Sequence, residues 1–153
     1  MLLRSRSTRR WIALLVWIGV IFFFSTDSFS SNGTSRILMP VLKFLFPFLS
    51  PEQLQAAHVV CRKAGHVLEY FVLGVLAWRA ITASTPGWLR PELFTIALLL
   101  AVALSDEFHQ SFVPSRTGAL ADVGFDLFGG IMGLFLMMRR RHGTRALYSH
   151  SVL

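Results

Sequence analysis

The stretch DVGFDLFGGIMGLFLMMRRR, residues 122–141, decides the fold class. From Leu127 to Met138 it carries no ionisable side chain, with two acids ahead of that run and three arginines behind it. At about 1.5 Å per residue, such a run crosses a bilayer if its charged ends belong to the helix. Asp122, Asp126, Gly129 and Gly133 follow one another at steps of four, three and four, which places them on one helical face. Gly129-x-x-x-Gly133 is the spacing at which small residues let two membrane helices approach closely. The predicted element is a membrane helix whose packed seam also carries two carboxylates.

Working outward, Leu93 to Leu104 is almost purely apolar, with Pro91 placed to start a helix and Asp106-Glu107-Phe108-His109-Gln110 closing it. Ala64 to Trp78 forms another apolar run, with His66 and Glu69 in its first turns and Arg79 at its end. The run from Trp11 to Phe24 follows four arginines and is closed by Ser25, Thr26 and Asp27. A cleaved leader competes for that first run, but no clean small-residue cleavage site follows, and a retained span is expected. Between Asp27 and Arg62, Pro40 and Pro47 interrupt an apolar stretch, predicting an interfacial segment over 36–60. Ser50-Pro51-Glu52-Gln53 reads as the start of a helix, with Ser50 as cap and Gln53 reaching back, that either stays in the interface or runs on into the next span. The expectation is one all-α domain over 1–153, a multi-span bundle of about four transmembrane helices near 10–26, 62–79, 91–106 and 122–138.

Composition agrees: 54% of the 153 residues are apolar and 15% charged, too little polarity for a water-exposed surface. The net charge of +7 raises nucleic acid as a partner, but the basic residues flank apolar runs and form no recognition fold, so none is expected. Four spans place Arg4, Arg6, Arg9, Arg10, Arg79, Arg90, Arg139, Arg140, Arg141 and Arg145 on one side. Arg36, Lys43, Arg62, Lys63 and Arg116 fall on the other. Ten against five predicts that both termini are cytoplasmic. Cys61 is the lone cysteine, which excludes an intramolecular disulfide.

The acids are more lopsided. Asp27, Glu52, Glu69, Asp106, Glu107, Asp122 and Asp126 map to the outer side, and Glu92 alone to the inner. Acidic residues contribute little to orientation, so a shared site is the competing explanation to a network that merely pins the helices. Lys63, His66, Tyr70 and Gly74 form one stripe, with Glu69 close to His66, and Asp106 has His109 and Gln110 at helical spacing. These groups are expected to face inward at one depth, with Arg116 folding back over them.

Three blocks and a span end resemble the VanZ-like family. They are Lys63-Ala64-Gly65-His66-Val67-Leu68-Glu69-Tyr70 with Leu73-Gly74, the run from Ser105 through Asp106-Glu107-Phe108-His109-Gln110 to Pro114 and Arg116, Asp122 and Asp126 ahead of Gly129, and Phe24-Ser25-Thr26 closing the first run. The resemblance covers most of the chain; the basic tail from Arg139 adds nothing to it. It implies a small multi-pass protein of the bacterial cytoplasmic membrane, of a kind linked to resistance to the glycopeptide teicoplanin. The positions it carries over are Lys63, His66, Glu69, Tyr70, Asp106, Glu107, His109, Gln110, Arg116, Asp122 and Asp126.

Two functions compete. One is binding of a lipid-linked cell-wall precursor or glycopeptide-type ligand at the outer leaflet, with Lys63 and Arg116 facing anionic groups and membrane lipid as the surrounding partner. The other is an intramembrane enzyme acting on a phosphate or glycosidic linkage, with His66, Glu69, Asp106, His109, Asp122 and Asp126 as catalytic candidates. No cofactor is implied and no metal is assigned. An ion path ranks third, because no ionisable residue interrupts Leu93 to Leu104 or Leu127 to Met138. The topology is checked by labelling intact cells with an impermeant thiol reagent in a Cys61→Ser background. Ser115→Cys reacts and Ser5→Cys does not; reaction at position 5 would contradict the four-span reading.

Overall fold

The computed structural model describes residues 2–26, 31–84, 90–112 and 120–149, and the side chains of 6–26, 33–84, 90–112 and 121–141. Those residues form five helices, α1 (Leu2–Phe24), α2 (Ser31–Leu45), α3 (Pro51–Ser84), α4 (Pro91–Gln110) and α5 (Leu120–Ser149), with no strand among them. Three stretches are long and apolar enough to cross a membrane: Arg6–Phe24, Pro51–Ser84 and Ala121–Arg141.

The start of α3 is built by its first residues. The Ser50 backbone N–H donates to Gln53 Oε1 at 2.8 Å, and the Gln53 N–H returns to Ser50 Oγ at 3.3 Å. This reciprocal pair satisfies donors that an uncapped helix leaves orphaned. Pro91 stands in the first turn of α4, where its missing N–H costs nothing.

One boundary differs from the sequence expectation. Pro40 lies inside α2, whereas Pro47 falls beyond it. Leu38 and Leu42 lie on the face of α2 turned inward, and Leu42 is buried, so docking holds the helix across the one hydrogen bond that Pro40 forfeits. Of the two readings open for the helix that starts at Ser50-Pro51, ending before Arg62 or running on into the next span, the structure shows the second. α3 runs unbroken for 34 residues, about 51 Å, because nothing between Glu52 and Ala83 is a helix breaker stronger than an isolated glycine.

All other helices pack on α3, and α5 does so most extensively. A Cβ added at Gly129 would run into the Val67 backbone carbonyl, one at Gly133 into that of Phe71, and one at Gly74 into that of Gly130. The seam is thus backbone against backbone, as the spacing of Gly129 and Gly133 predicts. α1 runs antiparallel to α3: Ser7 Oγ lies 2.8 Å from Ser84 Oγ, and further along Trp17 Nε1 donates to the Glu69 carbonyl at 3.0 Å.

The surface of the bundle differs from that of a water-soluble domain. Large apolar side chains such as Leu15, Val16, Leu93, Phe94, Phe128 and Phe135 are exposed, while Thr95, Asp106, Glu107, Gln110 and Asp126 are buried. An apolar exterior, with the buried polar groups turned inward beside the apolar core, is what a hydrocarbon solvent selects. Gly129→Ala and Gly133→Ala should each lower stability by at least about 2 kcal/mol, because the new methyl meets backbone that cannot move aside. Gly124→Ala, with open space around it, should leave stability unchanged or raise it by up to about 1 kcal/mol. Thermal unfolding in detergent micelles checks the contrast; equal effects at all three positions would contradict the close seam.

Candidate functional site

The glycine seam determines which side chains meet. One turn ahead of Gly129 on α5, Asp126 is buried and points at α3, where its Oδ1 lies 3.2 Å from His66 Nδ1. The contact is close enough for an ion pair but is off the line of a hydrogen bond. One turn further along α3, the Tyr70 hydroxyl is fully buried with no hydrogen-bond partner among the described residues. The carboxylates of Asp126, Asp106, Glu69 and Glu107 all lie within electrostatic reach of it. α3, α4 and α5 thus each bring a carboxylate within electrostatic reach of the Tyr70 hydroxyl.

A second group joins α4 to the end of α1. Gln110 Nε2 donates to Asp106 Oδ2 and to Ser25 Oγ, each at 2.8 Å, and Ser25 Oγ donates to Asp106 Oδ1. All three side chains are buried. Asp106 thus has both oxygens engaged, which keeps a carboxylate tolerable away from water. Asp106 and Gln110 meet Ser25 because α4 places them on one face, at i and i+4.

Toward one edge, Lys63 Nζ lies 3.5 Å from Asp122 Oδ1 and 4.0 Å from the centre of the Phe125 ring. Both charged groups are partly exposed, and the pair is worth at most about 1 kcal/mol. His109 packs edge-on against Phe22, ring centres 5.8 Å apart, with its Nδ1 buried and without a hydrogen-bond partner among the described residues. Arg116, expected to cover the cluster, lies outside the described residues.

A cleft of about 210 Å³ opens between the end of α1, α2 and the N-terminal half of α3. Ser25, Thr34, Arg62, His66 and Glu69 supply its polar lining, and Phe24 and Leu38 part of its apolar lining. Of the positions named from sequence, His66 and Glu69 line this cleft. Asp126 stands behind His66, and Asp106 and Gln110 stand behind Ser25. The buried set is therefore a supporting layer, and the open surface belongs to residues nearer α1 and α2. Sequence reasoning left Thr34 and Arg62 out. It had Ser25 only within the Phe24-Ser25-Thr26 match, a polar residue closing an apolar run, and assigned it no role.

The arrangement can present one cation, one carboxylate and an imidazole to a polar group while offering apolar contact to whatever is attached to it. Among the described residues, no three His, Cys, Asp or Glu side chains are placed to hold a metal ion.

Comparison with curated proteins and with solved structures gives no match. The family model described as VanZ/LLP1 matches residues 10–141, which takes in α1 from Arg10, all of α2, α3 and α4, and α5 as far as its first arginines. With that match over residues 10–141, and with Asp126 facing His66 and Asp106 joined to Gln110 inside the same bundle, the chain belongs to the VanZ/LLP1 family.

Proposed function

We propose that this chain is a multi-pass protein of the bacterial cytoplasmic membrane that binds the polar head of a lipid-linked or glycopeptide-type ligand in the cleft beside His66 and Glu69. In this reading α1, α3, α4 and α5 cross the bilayer with both termini inside. α4 has 20 residues, about 30 Å, matching a hydrocarbon core. Its late acids are buried against other helices instead of facing lipid. α2, at 15 residues, is too short to span, and its exposed Ile37, Val41, Phe44 and Leu45 suit the interface.

The observation that carries the reading is the mixed lining of the cleft. Arg62, His66 and Glu69 offer charge-assisted hydrogen bonds to a phosphate or glycan, and Phe24 and Leu38 offer contact to an attached chain. Such a ligand would sit at the end of the bundle that the arginine distribution assigns to the outer leaflet. Family membership is consistent with a role in teicoplanin tolerance, which this reading includes.

One contact favours a second reading. A buried carboxylate facing the imidazole of a group that lines a cleft is how general bases are oriented, and Asp126 faces His66 in this manner. The enzyme alternative would then use His66 on a phosphate or glycosidic linkage of an envelope lipid.

Mass spectrometry of protein purified in bacterial lipid separates these readings. The wild type should retain a polyprenyl or glycan-bearing lipid, and Glu69→Ala should retain at least about tenfold less, since hydrogen bonds to charged groups are worth about 1.5–3 kcal/mol. Equal retention would contradict ligand binding in this cleft. Conversion of the retained lipid by the wild type, absent in His66→Gln, would replace the binder with the enzyme.

A further inference from the structure

At the opposite end of the bundle from the cleft, a groove of about 190 Å³ lies between α1 and α3, lined by Arg9, Arg10, Ala13, Leu76 and Arg79. Three guanidinium-bearing residues thus share a small space that no carboxylate lines. Among the described residues none of the three pairs with an acid. Arg10 Nη1 donates to the Arg79 carbonyl at 3.3 Å, which fixes one arginine at the groove without neutralising it. The antiparallel packing of α1 on α3 is held nearby, where Trp11 Nε1 donates to Ser84 Oγ at 2.6 Å. The juxtaposition is therefore built by the helix register and is not a chance meeting of long side chains.

Like charges gathered on a packed surface repel one another unless an anion joins them, and guanidinium groups suit phosphate oxygens because they donate in pairs. The floor is apolar. Ala13 is small and exposed, and Leu76 is half-buried against the core. The volume holds about six water-sized groups, enough for a phosphate with its attached groups extending out of the groove. Phosphate donors above an apolar floor, on a bundle whose outer surface is hydrocarbon-like, describe the headgroup region of a lipid better than a soluble anion.

We propose that this groove is a binding site for the phosphate of an anionic glycerophospholipid, held by Arg9, Arg10 and Arg79 with its glycerol and upper acyl chain along Ala13 and Leu76. The site is independent of the outer cleft, and occupancy would brace α1 against α3 by bridging their charges.

The test uses the full-length protein in phosphatidylcholine bilayer discs containing phosphatidylglycerol as the minor component, with retained lipid counted by native mass spectrometry. The wild type should retain phosphatidylglycerol in preference to phosphatidylcholine. Replacing all three with glutamine (Arg9→Gln, Arg10→Gln, Arg79→Gln) should weaken that preference on the order of a hundredfold, at roughly fivefold per cation. Ala13→Trp keeps every charge and fills the groove, so it should also abolish retention even if the triple variant assembles poorly. Glutamine at Arg139, Arg140 and Arg141 of α5 should leave retention unchanged. Unchanged retention in both the Ala13→Trp and the triple variants would overturn the proposal. So would equal loss on changing the α5 arginines, or release of the lipid by free inorganic phosphate, which would identify a soluble-anion site.

Discussion

Everything in this bundle depends on the backbone contact between α3 and α5. Gly74, Gly129 and Gly133 carry no side chain to hold the helices apart, so peptide groups of one helix rest against those of the other. In a hydrocarbon solvent no hydrophobic force brings helices together, and close van der Waals approach is a main source of their affinity. The seam also sets the helix rotation. With Gly129 and Gly133 turned to α3, Asp126 must point to α3 as well, because it shares their face. His66 and Tyr70 lie opposite for the same reason, on the stripe that leads to Gly74. Packing and polar convergence are two results of one periodicity.

Burying that many acids requires partners. The Asp106–Ser25–Gln110 group satisfies one carboxylate completely and in doing so attaches the end of α1 to the end of α4. Asp126 has the imidazole of His66. These interactions define a layer behind the cleft that fixes the positions of His66 and Ser25 at its wall. A cleft wall whose residues are held from behind is pre-organised, which lowers the ordering cost of binding a polar head.

Much of this was legible in local sequence. Apolar runs marked the helices, Ser50 and Gln53 marked a cap, Pro91 marked a first turn, and the spacing of Asp122, Asp126, Gly129 and Gly133 marked the seam and the acids on it. What was illegible had non-local causes. Ser25 meets Asp106 across 81 residues of chain, and no periodicity encodes that contact. Arg62 and Thr34 become cleft residues only because α2 folds back along α3. Pro40 reads as a break because its own propensity disfavours a helix, whereas docking of the opposite face outweighs it. The sequence left two readings of the segment before Arg62, a separate interfacial piece or a helix running on into the span, and the absence of any helix-stopping residue there decides for the second.

Asp126 faces His66 across the glycine seam and away from lipid. Cross-linking inside the membrane tests it most directly, using a short bifunctional thiol reagent and mass spectrometry in a Cys61→Ser background. The protein carrying His66→Cys with Asp126→Cys should form an internal cross-link in high yield, and the one carrying His66→Cys with Phe128→Cys should not, since Phe128 lies on the exposed side of α5. A cross-link through position 128 and none through position 126 would rotate α5 by half a turn, and the shared polar interior would be lost with it.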